Sequence, residues 1–199
     1  MTRLLVASRN AKKLAEMRRI LAGAGVEVVG LDEVPPFPEA PETGATFEDN
    51  AVAKARDAAA ETGLPAVADD SGLAVDALNG MPGVFSARWA GRTRSDEANL
   101  RLVLEQVADV PDERLTASFV CASALVLPDS TEIIVRGEWP GRLVREPRGG
   151  NGFGYDPIFV PEGETRTSAE LTSAEKDAIS HRGRALQLLL PHLRTLSRP

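Results

Sequence analysis

Leu4-Leu5-Val6-Ala7, followed by the polar Ser8-Arg9-Asn10 and then by Leu14, Met17 and Leu21 at helical spacing, is the stretch that decides the fold. Four consecutive apolar residues read as a buried strand, and apolar side chains recurring every three or four positions read as one face of a helix. Ser8 or Asn10 is the candidate N-cap, because either side chain can accept from the free N–H groups of a first turn. Gly23 and Gly25 end the helix, and Val26-Glu27-Val28-Val29 alternates like a second strand. Strand, helix and strand in this order make a β-α-β unit and predict a parallel sheet.

Working outward, Pro35-Pro36-Phe37-Pro38-Glu39-Ala40-Pro41-Glu42-Thr43-Gly44 is too proline-rich for regular structure and reads as an acidic loop. Thr46-Phe47-Glu48-Asp49 has the form of a capping box, and Phe47, Ala51, Ala55 and Ala58 repeat along one helical face, with Asn50 and Lys54 sharing a neighbouring one. After Gly63 and Pro65, Ala66-Val67-Ala68 reads as a short strand that ends in Asp69-Asp70-Ser71-Gly72. Two carboxylates are thus expected at the C-terminal end of a strand, the edge where open α/β sheets bind ligands. Ser95-Asp96-Glu97 opens another helix to about Ala108. Thr116 to Leu127 and Thr131 to Trp139, separated by Pro128-Asp129-Ser130, read as an antiparallel hairpin, which makes the sheet mixed. A glycine-dense loop, Gly149 to Pro157, leads into Ile158-Phe159-Val160, and the capping box Thr172-Ser173-Ala174-Glu175 starts a single C-terminal helix carrying Ile179, Leu186 and Leu189 inward. No repeat or linker divides the chain, so residues 1–199 are read as one domain.

Composition bounds the function. With 43% hydrophobic and 26% charged residues, the 199-residue chain matches a folded globular protein and not a disordered or fibrous one. A net charge of −6 lacks the broad basic surface that long nucleic acid requires. The single Cys121 cannot form an internal disulfide, which fits a reducing, cytoplasmic setting. The apolar run at the N-terminus is too short for a signal peptide or membrane span, so no membrane partner is expected.

Four polar clusters carry candidate chemistry. Ser8-Arg9-Asn10-Ala11-Lys12-Lys13 lies where a strand meets a helix N-terminus, a place that suits phosphate, although it lacks P-loop spacing and solvated lysines are the plain alternative. Adjacent Asp69 and Asp70 repel one another unless a cation or proton relieves them, and one or two carboxylates with substrate phosphates are what Mg²⁺ usually takes. One aspartate is expected to be structural, capping the turn, and the other to meet the metal. Phe153-Gly154-Tyr155-Asp156 joins aromatic faces for base stacking to a carboxylate, or else places two aromatics in the core. Lys176, His181 and Arg182 offer three donors near a helix start. Cations for phosphate, carboxylates for metal and an aromatic loop for a base add up to a nucleotide.

These stretches, with Phe47-Glu48-Asp49-Asn50-Ala51, Ala68-Asp69-Asp70-Ser71-Gly72-Leu73, Ser86-Ala87-Arg88 and Ser180-His181-Arg182-Gly183, resemble the inosine/xanthosine triphosphate pyrophosphatases, the Ham1-like family. The resemblance implies an α/β fold with a long curved mixed sheet, flanking helices and two lobes around a central nucleotide cleft. It implies a homodimer that hydrolyses ITP, dITP and XTP to the monophosphate and pyrophosphate with Mg²⁺. Carried over by motif, Ser8, Arg9, Asn10, Ala11, Lys12 and Lys13 line the triphosphate site, and Asp70 is the catalytic proton acceptor and metal ligand. Ser71 touches substrate, Phe153, Gly154, Tyr155 and Asp156 form the base loop, and Lys176, His181 and Arg182 close the purine pocket. The chain departs from the pattern twice: Arg9 stands where relatives carry glycine, and Pro41 where some carry an acidic metal ligand, leaving Glu39 and Glu42 as substitutes. A broader nucleoside triphosphate pyrophosphatase and a non-catalytic nucleotide sensor are the alternatives.

Overall fold

A computed structural model describes residues 2–38 and 41–196. In order, the elements are β1 (Thr2–Val6), α1 (Ala11–Ile20), β2 (Val26–Val29), α2 (Phe47–Thr62), β3 (Ala66–Val75), β4 (Met81–Pro82), α3 (Asp96–Gln106), β5 (Thr116–Val126), β6 (Glu132–Leu143), β7 (Phe159–Pro161), α4 (Ser173–Ile179) and α5 (His181–Leu196). The strands hydrogen-bond in the order β2-β1-β3-β5-β6-β7, with β4 added to β3. The opening β-α-β reading holds: β1 pairs in parallel with β2 (Leu4 opposite Val28) and with β3 (Leu5 opposite Ala66). β4 and β7 run antiparallel to β3 and β6, so the sheet is mixed, as expected. The five residues joining β5 to β6 are too few for a parallel crossover.

The chain forms two compact units: Met1–Asp70 with Cys121–Gly137 and Arg182–Pro199, and Ser71–Val120 with Glu138–His181. In the first, Leu4 and Val6 of β1, Val67 of β3 and Leu125 of β5 pack with Met17 and Leu21 of α1 and with Leu186, Leu189 and Leu193 of α5. In the second, Leu73 and Val75 of β3, Leu100 and Val103 of α3, Trp139 and Leu143 of β6 and Phe159 of β7 form the core. Phe119 lies at its centre, with ring centroids 4.7 Å from Phe159 and 4.9 Å from His181.

Two sequence expectations are corrected. β3 does not end at Ala68 but continues through Asp69-Asp70-Ser71-Gly72 to Val75, so the aspartates lie inside a strand and cap no turn. Cations meet both carboxylates, as described below, and a compensated charge does not force a strand to stop. The C-terminal helix is two helices, because Ser180 adopts extended dihedrals (φ −69°, ψ 162°) between α4 and α5. Lys176 and Arg182 consequently fall in different units.

At Gly72 a side chain has no room: a Cβ would lie 2.3 Å from Ser86 Oγ and 2.4 Å from the Gly83 carbonyl oxygen. Ser86 Oγ accepts from Leu73 N–H (2.9 Å) and donates to that same Gly83 oxygen, so it cannot retreat without losing both bonds. Gly72→Ala is therefore expected to destabilise the protein by about 1–3 kcal/mol, the usual scale for overpacking, read as a lowered midpoint in chemical denaturation.

Candidate functional site

Successive side chains of a strand point to opposite faces, so neighbours such as Asp69 and Asp70 meet different partners. Asp69 is 2% exposed. Its Oδ2 accepts from Arg182 (Nη2 2.9 Å, Nε 3.2 Å) and lies 3.1 Å from Lys13 Nζ. Arg182 also pairs with Glu16 of α1, so the guanidinium is held between two carboxylates. Burial alone would raise the Asp69 pKa, but Lys13, Arg182 and Lys54 outweigh it and hold the carboxyl well below the usual range. Cys121 Sγ sits 3.8 Å from the same carboxylate, and burial, followed by that negative charge, pushes the thiol up to about 12.

Asp70 is compensated less completely. Its Oδ2 accepts from Asn50 Nδ2 at 2.9 Å, while its Oδ1 faces Lys54 Nζ at 3.8 Å, beyond hydrogen-bond distance. Burial raises its pKa more than Lys54, Lys13 and Asn50 lower it, so this carboxylate binds a proton more readily than a free aspartate. Lys54 Nζ donates to the Asp69 carbonyl oxygen (2.7 Å) and to Glu42 Oε1 (3.1 Å). Burial works to lower the Lys54 pKa, but Asp70, Asp69 and Glu42 together raise it, keeping the amine charged. Asn50 and Lys54 reach this point because they lie one turn apart on α2, whose capping box is formed by Thr46 and Asp49. Asn50 Oδ1 accepts from Gly44 N–H (2.8 Å), which turns its amide donors toward Asp70.

At the start of α1, Asn10 is the cap: its Oδ1 accepts from Lys12 N–H (3.0 Å) and Lys13 N–H (3.2 Å), while Ser8 Oγ accepts from Asn10 N–H (3.3 Å). Two first-turn donors are thus engaged by the chain itself. Ser8, Arg9 and Ala11 line a cavity of about 490 Å³ with Leu31, Pro36 and Phe37.

In the second unit, Asp156 is the organising carboxylate of the glycine loop. Oδ2 accepts from Phe153 N–H (2.8 Å) and Lys176 Nζ (2.6 Å), and Oδ1 from Ser168 Oγ (2.6 Å). Gly152 (φ +75°) allows this: a Cβ there would lie 2.0 Å from Asp156 Oδ2. Lys176 Nζ also sits 5.2 Å from the Phe153 ring centroid. Tyr155 points the other way. Its ring belongs to the core and its hydroxyl donates to the Ser86 carbonyl (2.8 Å), with burial and then Asp96 raising its pKa. Phe153 is half-buried, with Gly154 beside it, and is the aromatic of this loop outside that core cluster.

The grouping of Lys176, His181 and Arg182 as three donors resolves differently. Lys176 meets Asp156, the His181 ring stacks on Phe119 (12° interplanar angle), and the guanidinium of Arg182 meets Asp69 and Glu16. The break at Ser180 separates them. Ser71, half-buried, follows the aspartates in β3. Glu16 and Ser168 escaped sequence reasoning; Glu16 lies one turn beyond Lys13, the only signal that could have found it.

Among the described residues, no three His, Cys, Asp or Glu side chains form a metal-binding group. The set nevertheless suits a hard cation shared with phosphate, which needs only one or two protein carboxylates. Asp70 Oδ1 and Glu42 Oε1 flank Lys54 Nζ at 3.8 and 3.1 Å. Glu39 lies outside the described residues.

Each unit thus holds its own polar cluster: Asp69 and Asp70 with Lys13 and Lys54 in the first, and Asp156 with Lys176 and Phe153 in the second. The chain belongs to the Ham1 family, whose model matches residues 4–192. It is 69% identical to a dITP/XTP pyrophosphatase of Nocardia farcinica over 99% of this chain and 97% of that protein. Among solved structures, a nucleoside-triphosphatase / dITP/XTP pyrophosphatase of Mycobacterium abscessus is 63% identical with a TM-score of 0.78, covering 96% of this chain and 100% of that one. A HAM1 protein of Coxiella burnetii is 47% identical with a TM-score of 0.86, covering 97% of this chain and 98% of that one.

Replacing Arg182 by methionine removes the buried cation that Asp69 and Glu16 share, leaving Lys13 on Asp69, and is expected to cost about 3–5 kcal/mol of stability. The depressed Asp69 pKa also sets an acid dependence: its contribution is present above the unfolded value of 3.8 and is lost as pH falls below it. Urea unfolding of wild type and Asp69→Asn through that acid range measures it, and parallel curves would remove Asp69 as the cause.

Proposed function

We propose that the protein is a nucleoside triphosphate pyrophosphohydrolase that clears the 6-oxo purine nucleotides ITP, dITP and XTP, releasing the monophosphate and pyrophosphate. The observation that carries the reading is the division of labour between Asp69, whose charge meets Lys13 and Arg182 on Oδ2, and Asp70, whose Oδ1 faces Lys54 only at 3.8 Å and whose burial raises its pKa. The relatives are named for two of these substrates, dITP and XTP.

In this reading water attacks the α-phosphorus, the bond from that phosphorus to the bridging oxygen breaks, and pyrophosphate leaves. Asp70 accepts the proton from the attacking water, a role suited to a carboxylate whose proton affinity is raised. Lys13 and Lys54 supply positive charge for the triphosphate, and Ser8, Arg9, Asn10, Ala11 and Lys12 frame it. A Mg²⁺ held by Asp70, with Glu42 as the second candidate, would neutralise charge on the phosphate oxygens. Asp156 and Lys176 hold the Phe153-Gly154 loop for the base, and Lys176 is the candidate donor to the 6-oxo group that adenine lacks. Guanine shares that oxygen, so rejection of GTP rests on its 2-amino group.

A homodimer is part of the proposal, supported by the exposed apolar side chains of Met81 and Phe85. The cytoplasm is the compartment that a nucleotide substrate and one free cysteine favour. Purified protein with Mg²⁺ is expected to turn ITP and XTP into monophosphate and pyrophosphate, well ahead of GTP and ATP; release of orthophosphate would overturn the reading. Asp70→Asn should abolish nearly all turnover without lowering the melting temperature, because it removes a buried negative charge while an amide oxygen can still accept from Asn50. An active Asp70→Asn enzyme would remove Asp70 from catalysis.

A further inference from the structure

The first turn of α3 reaches the loop that the proposed function assigns to the base. Asp96, which follows the N-cap Ser95, accepts the Gly154 N–H on Oδ2 at 3.0 Å. Its charge is also felt by Tyr155, the next residue of the loop. One helical turn on, Asn99 is 2% exposed and holds the 83–90 segment, accepting Ala90 N–H (2.7 Å) and donating to the Ala87 carbonyl (3.2 Å). That segment in turn accepts the Tyr155 hydroxyl at Ser86. Asp96 and Asn99, three residues apart, share a face of α3. The loop is thus pinned on two sides: Asp156 and Lys176 behind Phe153, and α3 beyond Gly154.

We infer that Asp96 is a positioning residue for base recognition, acting through the Gly154 N–H to set the plane of the Phe153-Gly154 peptide and hence the Phe153 ring. This rests on reading Phe153–Asp156 as the base loop. A backbone N–H is what a base-binding loop would otherwise offer to the ligand. Engaging it from the helix side fixes the peptide without blocking Phe153, which already has its own N–H on Asp156. The acceptor is negatively charged, and hydrogen bonds to charged groups are the stronger kind. Asp96 lies at the surface and its bond is exposed, so its loss loosens the loop without opening the core.

The experiment compares wild type, Asp96→Ala and Asp96→Asn in steady-state pyrophosphate release from ITP and XTP. Hydrogen exchange on the ligand-free proteins follows the peptide spanning Phe153 to Tyr155. Asp96→Ala is expected to raise KM about three- to tenfold with kcat within about twofold of wild type, the scale of one solvent-exposed charge-assisted hydrogen bond that orders a binding loop. Exchange at the loop should quicken, while the exchange of β1, β3 and β5 stays unchanged. Asp96→Asn keeps an acceptor oxygen and is expected to restore most of the KM. Faster loop exchange with an unchanged KM would overturn the inference, because Asp96 would then order the loop without serving the base. Unchanged exchange and unchanged KM would overturn it as well, as would a loss confined to kcat. Absence of pyrophosphate release by wild type would instead strike the proposed function, and the exchange data would still report whether Asp96 orders the loop.

Discussion

Burying Asp69 in the middle of a strand creates the electrostatic problem around which the first unit is arranged. An isolated carboxylate at 2% exposure is among the costliest groups a protein can hold, and it remains ionised here only because Lys13 and Arg182 converge on one of its oxygens. Arg182 brings a second carboxylate, Glu16, to the other side of its guanidinium. These contacts tie α1 and α5 to β3 by charge as well as by their leucines. Burial, and after it the charge of Asp69, pushes the Cys121 thiol up, while Arg182 and Lys13 work against that rise.

Set against that arrangement, Asp70 is conspicuous for what it is not given. Asn50 supplies one hydrogen bond, and Lys54 stands at 3.8 Å with its proton donors turned to Glu42 and a backbone carbonyl. A carboxylate raised in proton affinity and left with coordinating capacity is suited to handle a proton or a cation, whereas Asp69 is suited to stay as it is. Asp156 repeats the structural version in the second unit, with both oxygens engaged, by Phe153 and Lys176 on one and Ser168 on the other. Carboxylates of identical chemistry thus differ in the charges that face them: Asp69 and Asp156 meet cations at 3.1 Å or less, and Asp70 meets its lysine at 3.8 Å.

Much of the architecture is legible from local patterns. The β-α-β opening, the capping boxes at Thr46 and Thr172, the Ser95 cap and the hairpin around Asp129 all depend on residues near one another in the chain. The misreadings share one origin. Asp69-Asp70-Ser71-Gly72 has turn composition, and only Lys13, Arg182 and Lys54, brought from distant elements, let it remain strand. Ser180 interrupts what looks like one amphipathic helix, and Lys176 and Arg182 on either side of it meet different carboxylates, Asp156 and Asp69. Tyr155, which the sequence leaves between a stacking role and the core, has its ring in the core and its hydroxyl on the Ser86 carbonyl.

The amino-acid sequence by itself determined the fold class, the family and the roster of polar side chains, because strand and helix periodicity, caps and short motifs are properties of neighbouring residues. Only the tertiary structure decided which aspartate meets two cations and which keeps a raised proton affinity, which aromatic faces the core, and that the Arg182 guanidinium meets Asp69 and Glu16. Those outcomes depend on electrostatic and hydrogen-bond partners far apart in the chain, and a charge's role follows from the distance and burial of its counter-charges, which no local pattern records.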